Sequence, residues 1–145
     1  MKNNNSDRYI LLSIQPRYAE KIFNGTKKVE LRRSFPVSYE NRLVVVYVST
    51  PVKAIIGTFH ISSVLSAKPE EIWKAAGKVS GINRDEFDTY YDGAETGHAI
   101  FIRNVRRCEK PIPLNTLRLQ IDKFTAPQNF RYICSKYADS IQVSD

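Results

Sequence analysis

The chain has 145 residues, of which 22 are Lys or Arg and 15 are Asp or Glu, so its formal net charge is +7. This length predicts one domain, large enough to bury a core without a disulfide or a metal. The longest apolar run, over residues 43–48, is far shorter than the roughly 20 residues of a membrane-spanning helix, and no secretory signal follows the polar N-terminus. We therefore expect a cytoplasmic protein rather than a membrane protein or a secreted disulfide scaffold.

The charge is unevenly distributed along the chain. Residues 1–60 carry a net charge of +6 and residues 61–145 a net charge of +1. Such asymmetry favours a polyanionic partner, with nucleic acid the first candidate. Cys108 and Cys134 are isolated and are interpreted as buried, reduced thiols, and His60 and His98 lack metal-ligand spacing. We expect neither a metal nor a cofactor.

Hydrophobic patterning predicts strands and short helices in a mixed order. The first elements are a strand over 9–14, a helix over 16–23, a strand over 28–33, a central strand over 43–48 and a long strand over 52–64 that bends near Gly57. Helices over 68–73 and 85–91, a strand over 97–105, a helical segment to 117 and a last element over 127–133 follow. The prediction is one α+β domain over 8–136, with a flexible N-terminus over 1–7 and a tail over 137–145.

The segment from Gly25 to Arg33 is the most informative part of the chain. A helix ends at Gly25, a lysine follows in the tight connection, and a strand then projects Glu30 and Arg32 to one face. Arg32 can bind a phosphate or a base edge, Lys27 or Lys28 can supply a phosphate charge, and Glu30 can accept an exocyclic amine or act as a base. The alternative is a solvated strand face on which Glu30 only neutralises its neighbours.

The spacing of Gly25, Lys27, Glu30 and Arg32 resembles the G-x-K-x-x-E-x-R signature of the ASCH domain, a branch of the PUA-like superfamily. The flanking segments at 13–22, 46–57 and 127–132 are similar to the family in the same order. The resemblance implies an α+β fold, a bent, antiparallel or mixed β-barrel of PUA-like type with short peripheral helices. It also implies a cleft beside the helix-to-strand turn and a role in RNA or nucleotide binding, including regulatory binding in transcription.

Two enzymatic alternatives follow from the same resemblance. Some relatives resemble amidohydrolases acting on acetylated cytidine, with a lysine and a threonine in this turn. Here Lys27 keeps the lysine, but Glu30 stands at the threonine position and Thr26 is out of register. A ribonuclease is the second alternative; without a histidine pair, Lys27 and Glu30 would be its catalytic groups. A non-catalytic protein-interaction module is a third class.

Further candidates for the cleft come from the predicted ends of strands. They are Ser13 and Gln15 after the first strand, Tyr47 and Ser49 on the central strand, Gln128 and Phe130 near the C-terminus, and Lys28 and Arg33 beside the signature. Tyr47 or Phe130 could stack on a base, although aromatic residues mostly pack in cores. A second basic cluster, Arg103, Arg106 and Arg107, is either a continuation of a phosphate track or a solvated strand end.

Overall fold

The computed structural model describes residues 8–36 and 43–144. The predicted flexible N-terminus over 1–7 and the predicted polar loop over 37–40 lie outside these ranges. The strands are β1 Arg8–Ile14, β2 Val29–Arg32, β3 Leu43–Val48, β4 Ala54–Ala67, β5 Gly97–Pro113 and β6 Phe130–Cys134. The helices are α1 Pro16–Phe23, α2 Pro69–Ala76, α3 Arg84–Tyr91, α4 Leu114–Gln120 and α5 Ser135–Asp139, with a 3₁₀ turn over Gly77–Val79.

The six strands form one mixed sheet in the order β2-β5-β4-β3-β1-β6. Only β1 and β3 are parallel, and the other neighbours are antiparallel. β1 and β3 lie inside the sheet, and their continuous apolar sequences bury both faces. Thus Ile10 and Leu12 enter one core cluster, while Leu11, which points to the opposite face, enters another.

The predicted α+β class and mixed sheet are confirmed, but the predicted barrel is wrong in one respect. Over the described ranges the sheet is open, with β2 and β6 at its edges. β2 has four residues and pairs along one side with β5, so it offers no ladder to β6. The Arg32 side chain instead connects β2 to β1 and to the residue before β6, because it donates to the Ser13 carbonyl at 2.6 Å and to Asn129 Oδ1 at 3.1 Å.

The predicted bend near Gly57 is present. The register between β4 and β5 shifts between Ile55 and Gly57 and at two further points, which curves both strands. A Cβ at Gly57 would lie 2.3 Å from the Arg106 carbonyl oxygen and 2.5 Å from the Phe23 ring, so any larger residue would collide with the backbone of β5. This close approach lets the last residue of α1 pack directly on the sheet.

The residues that follow β6 contact the rest of the sheet. α5 begins at Ser135, Ala138 is buried, and Val143 forms an isolated antiparallel bridge with Cys108. Cys108 is half-buried, and burial raises the pKa of its thiol to about 11. Cys134 is exposed, which corrects the prediction of two buried thiols. Of the helices in the described parts, none is long and apolar enough to cross a membrane.

Candidate functional site

A cleft of about 420 Å³ opens where β1 ends and α1 begins. This volume is within the range of small-ligand pockets. The cleft is closed on its other sides by β2, by the last turn of α3 and by the segment preceding β6. Its lining residues are Ser13, Gln15, Tyr18, Lys27, Glu30, Leu31, Arg32, Ser49, Ile82, Tyr90, Pro127 and Gln128.

The turn between α1 and β2 brings the signature residues to this cleft. Asn24 caps α1, and Gly25 adopts a φ of 88°, a left-handed conformation that a residue without a Cβ takes easily. The amides of Thr26 and Lys27 both bond to the Lys21 carbonyl, which turns the chain sharply into β2. The alternation of β2 then directs Glu30 and Arg32 to the cleft, while Val29 packs against α2 and α3.

Three charged side chains form the floor of the cleft. Glu30 lies between two cations, with Oε1 3.8 Å from Lys27 Nζ and Oε2 3.0 Å from Arg32 Nη2. The side chains of Lys27, Glu30 and Arg32 are only 3%, 7% and 12% exposed. Charges are rarely buried unless they are paired. Here the carboxylate of Glu30 is paired with both Lys27 and Arg32. We call these three residues the charged triad.

Lys27 has an environment unlike that of a surface lysine. Its Nζ donates a short hydrogen bond to the Ser80 carbonyl and lies 5.3 Å from the centroid of the Tyr18 ring. Burial lowers the pKa of Lys27; Glu30 opposes this, and the nearby charges of Lys21 and Arg32 add to it. A lysine with a lowered pKa releases its proton more readily, as general acids and bases need to do near neutral pH.

Most of the hydrogen-bond donors of the Arg32 side chain are bonded within the protein. Nη2 bonds to Glu30 and to the Ser13 carbonyl, and Nη1 bonds to Asn129 Oδ1. Its Nε is buried and has no hydrogen-bond partner among the described residues. Because Asn129 also donates to Ser34 Oγ at 2.9 Å, the guanidinium joins the end of β2 to the segment that carries Gln128. The geometry therefore makes Arg32 a brace that orients Glu30 and supports one wall.

The walls of the cleft combine two aromatic rings with uncharged polar groups. Tyr18 is fixed by Arg17, whose guanidinium donates to Tyr18 Oη at 2.6 Å and stacks 4.5 Å from the ring centroid. Tyr90 accepts from the Arg33 amide at 3.2 Å, and burial raises the pKa of its phenol. Gln15 and Gln128 are exposed at the rim. Aromatic faces and amide groups are suited to stacking on a planar ligand and to bonding with its edge.

The structure brings seven of the twelve predicted site residues to the cleft: Ser13, Gln15, Lys27, Glu30, Arg32, Ser49 and Gln128. Gly25 shapes the turn but does not line the cleft, and Lys28 is exposed next to it. Arg33 bonds to the carbonyls of Tyr90 and Asp92 instead.

The two aromatic residues predicted as stacking candidates pack elsewhere. Tyr47 is buried in the core on the opposite face of the sheet, with Leu11 and Ile55. Phe130 packs beside Phe35, with ring centroids 6.3 Å apart. The packing alternative that the sequence left open for them is the one observed.

Sequence reasoning missed the two aromatic residues that do line the cleft. Tyr18 has the spacing of the buried face of α1 and gives no sign that its ring reaches Lys27. Tyr90 is about 60 residues from the signature, and no local pattern connects the two. In the described part of the chain no three His, Cys, Asp or Glu side chains lie close enough to hold a metal, and Glu30 is the one carboxylate in the cleft lining.

The open mixed sheet with a cleft beside the helix-to-strand turn is a PUA-like architecture. The chain belongs to the ASCH domain family, whose family model matches residues 12–115. The crystal structure of ASCH from Zymomonas mobilis superposes with a TM-score of 0.84 at 24% identity, covering 90% of this chain and 91% of that one.

Two curated relatives have names that refer to RNA biology. An ASCH domain-containing ribonuclease of Zymomonas mobilis is 25% identical over 123 residues, covering 85% of this chain and 82% of the relative. A large ribosomal subunit protein of Ureaplasma parvum is 28% identical over 133 residues. That match covers 91% of this chain but 41% of the ribosomal protein, so it concerns one part of a longer relative.

Proposed function

We propose that this protein binds RNA by taking one unstacked nucleotide into the cleft above the charged triad. The observation that carries the proposal is the buried Lys27–Glu30–Arg32 arrangement beneath two tyrosine rings. Burying three charges costs several kcal/mol per ion before their mutual attraction compensates for it. A contribution to stability alone therefore does not explain why the triad is buried. Its position at the floor of an open cleft favours a binding role.

The cleft offers the groups that single-stranded RNA recognition uses. An unstacked base can stack on Tyr18 or Tyr90, at about 1–3 kcal/mol per base where such stacking operates. The amides of Gln15 and Gln128 can donate to and accept from a base edge, and Glu30 has lone pairs left to accept from a base amine. The names of the ribonuclease and ribosomal relatives support RNA as the polymer.

Fluorescence anisotropy with a labelled single-stranded RNA tests this proposal. Gln15 and Gln128 are exposed, so the double substitution Gln15→Ala/Gln128→Ala removes contacts in the cleft without opening the core. We expect affinity to fall about tenfold, at roughly 0.5–1.5 kcal/mol per lost hydrogen bond. The matched control is Gln142→Ala, an exposed glutamine outside the cleft lining. Equal affinity of the double variant and the control would refute binding in the cleft.

RNA cleavage is a second candidate function, favoured by the lowered pKa of Lys27 and by the name of the Zymomonas relative. In such a reaction Glu30 would accept the proton of a ribose 2′-hydroxyl. The 2′-oxygen would then attack the adjacent phosphorus, and Lys27 would give its proton to the departing 5′-oxygen. The products are a 2′,3′-cyclic phosphate and a 5′-hydroxyl, so charge and protons balance.

Mass spectrometry of RNA incubated with the protein, with and without divalent metal, tests the second candidate. Cleavage at a ribonucleotide, its absence at a 2′-deoxy position and its loss in a Glu30→Gln variant shown to be folded under the assay conditions would establish this chemistry. Intact RNA that is still retained by the protein would leave a binding module. Modified nucleosides in the same assay test the amidohydrolase alternative. Cytoplasmic location, regulatory binding and protein interaction stay predictions.

A further inference from the structure

A second basic surface lies along the edge of β5, outside the cleft. Arg103, Arg106 and Arg107 lie in a stretch of β5 that has no acidic residue between Gly97 and Cys108. The neighbouring strand β4 has no acidic residue at all. Together the two strands carry Arg103, Arg106, Arg107 and Lys110 against one acidic residue, Glu109.

Among the described residues, one side of the β5 backbone has no ladder partner over a short stretch at this point. On the side facing β2, pairing ends where the Ile102 amide bonds to the Lys28 carbonyl. It resumes where the Ser144 amide bonds to the Arg107 carbonyl. Between these points Asn104 has a φ of 53° and Val105 is 37% exposed, so the strand bulges outward. At about 3.3 Å per residue, Arg103 and Arg107 are separated by roughly 13 Å along the strand.

The arginines are distributed over both faces of this edge. Arg107 pairs with Gly57 and lies over the Phe23 ring, 5.1 Å from its centroid, on the face that carries α1. Arg103 and Arg106 pair with His60 and Thr58. The His60 Nδ1 is buried without a hydrogen-bond partner among the described residues. Burial lowers the pKa of His60, and the charges of Arg103 and Arg106 lower it further, as expected in a positive local field.

This edge adjoins the cleft through the turn that carries the signature. Lys27 and Lys28 are consecutive: the first lies on the cleft floor, and the second is exposed and bonded through its carbonyl to β5. On the other side of the turn, Tyr18 lines the cleft and Phe23 supports Arg107. These two residues are five positions apart in the helix, or about 7.5 Å along its axis.

We infer that the β5 edge, with Lys28, Arg103, Arg106 and Arg107, is a phosphate track for the RNA strand flanking the nucleotide in the cleft. This inference rests on the proposed function and extends it from one nucleotide to a strand. The track binds backbone phosphates through charge and carries no sequence selectivity, whereas the cleft supplies the contacts to one base. Binding should therefore strengthen with RNA length and depend steeply on salt.

Binding of a dinucleotide and of a 12-nucleotide RNA, each at several salt concentrations, tests the track. Arg106→Gln/Arg107→Gln removes two cations from the edge, and Arg118→Gln/Lys136→Gln removes two exposed cations from α4 and α5 as a control of equal charge. For the 12-mer we expect the edge variant to lose about tenfold in affinity at low salt. Its log–log salt slope should decrease by about 1.4, at roughly 0.7 per phosphate contact on a single strand. Dinucleotide binding should not change.

The outcomes separate the track from the cleft. Equal losses in the edge variant and the control would show a general charge effect and overturn the track while leaving the cleft in place. Loss of 12-mer binding in the edge variant, with no effect of Gln15→Ala/Gln128→Ala on either RNA, would instead refute the cleft and retain a basic edge. Because Arg107 packs on Phe23, Lys28→Gln gives a second test at an exposed residue; it should reduce the salt slope by about 0.7.

Discussion

Two clusters of three charged residues place the same side-chain chemistry in opposite environments. In the charged triad, Arg32 bonds Glu30 and lies in a buried floor shared with Lys27. Near the start of α3, Arg84 bonds Glu70 at 2.6 Å and Asp88 at 2.9 Å, with all three side chains 41–59% exposed. The bond lengths alone would suggest that the exposed cluster is the stronger of the two.

Because the charged triad is buried, we expect a substitution there to cost more stability than a substitution in the exposed cluster. Exposed ion pairs gain little because water and salt screen them, whereas removal of one member of a buried set leaves an uncompensated charge in a poorly solvated site. The exposed cluster ties α2 to α3 without lining the cleft. The buried cluster lies where a ligand would meet it. Bond length alone therefore does not show which cluster lies at the cleft.

The largest expected effect comes from removing the central carboxylate of the triad. Glu30→Gln keeps the shape but leaves two buried cations facing a neutral amide, so we expect a loss of roughly 3–5 kcal/mol in the free energy of unfolding. Urea denaturation measures it. Glu70→Gln makes the identical chemical change in the exposed cluster and should have a much smaller effect. Similar losses in the two variants would break the comparison.

Next in size is replacement of the guanidinium that braces the cleft. Arg32→Lys keeps the charge but cannot bond Glu30, Ser13 and Asn129 together, so we expect a loss of roughly 1–3 kcal/mol in the free energy of unfolding and weaker RNA binding. Arg84→Lys is the exposed counterpart and should leave binding unchanged. If Arg32→Lys were as stable as the parent chain and bound RNA equally well, the bracing role would be wrong.

The pH dependence of stability above neutral pH gives a third test of the charged triad, through Lys27. The pKa of Lys27 is lowered in the folded protein, so the unfolded chain binds more protons between the folded pKa and the ordinary value of 10.5. Stability relative to Lys27→Met should therefore rise as pH increases through the folded pKa toward 10.5. Parallel pH profiles for the two proteins, measured by thermal unfolding, would contradict a lowered pKa.

The smallest effect is expected on the acid side, in the exposed cluster. The hydrogen bond from Arg84 lowers the pKa of Glu70 below its ordinary value of 4.5. The stability that this carboxylate contributes is present above about pH 4.5 and disappears as pH falls through the folded pKa. The small stability difference between the parent chain and Glu70→Gln should vanish once pH has fallen below the folded pKa. A difference that persists in acid would need a cause other than ionisation.

Local patterns along the chain were sufficient for most elements of the fold. β1, α1 and β3 match their predicted ranges because their apolar spacing reflects burial in the native core, and Asn83 caps α3 as its position suggests. β5 runs to Pro113, well past the predicted end at 105, because its pairing with β4 continues through several bulges. Tertiary pairing of that kind leaves no local signature.

For the cleft, too, local sequence patterns predicted some of the lining residues but not those that meet only through tertiary packing. The alternation of β2 was enough to place Glu30 and Arg32 on one face, and the order of the elements brought Ser13 and Ser49 beside them. The identity of the aromatic walls depended on how α3 and α1 pack against distant segments, so Tyr90 could not be inferred and Tyr47 was placed wrongly. Side chains that meet only through packing of distant segments need coordinates.

The hydrogen bond between Arg32 and Asn129 joins residues 97 positions apart, so the complete cleft can form only after Asn129 has been synthesised. During synthesis, β1, α1 and β2 emerge with Lys27, Glu30 and Arg32 before the cleft walls that include Tyr90 and Gln128 have been made. Asn129 and Gln128 follow much later, beyond residue 115, where the family match ends. Until then Arg32 lacks its Asn129 partner and the cleft is incomplete, so we expect the nascent chain to hold a ligand there only after β6 has docked beside β1.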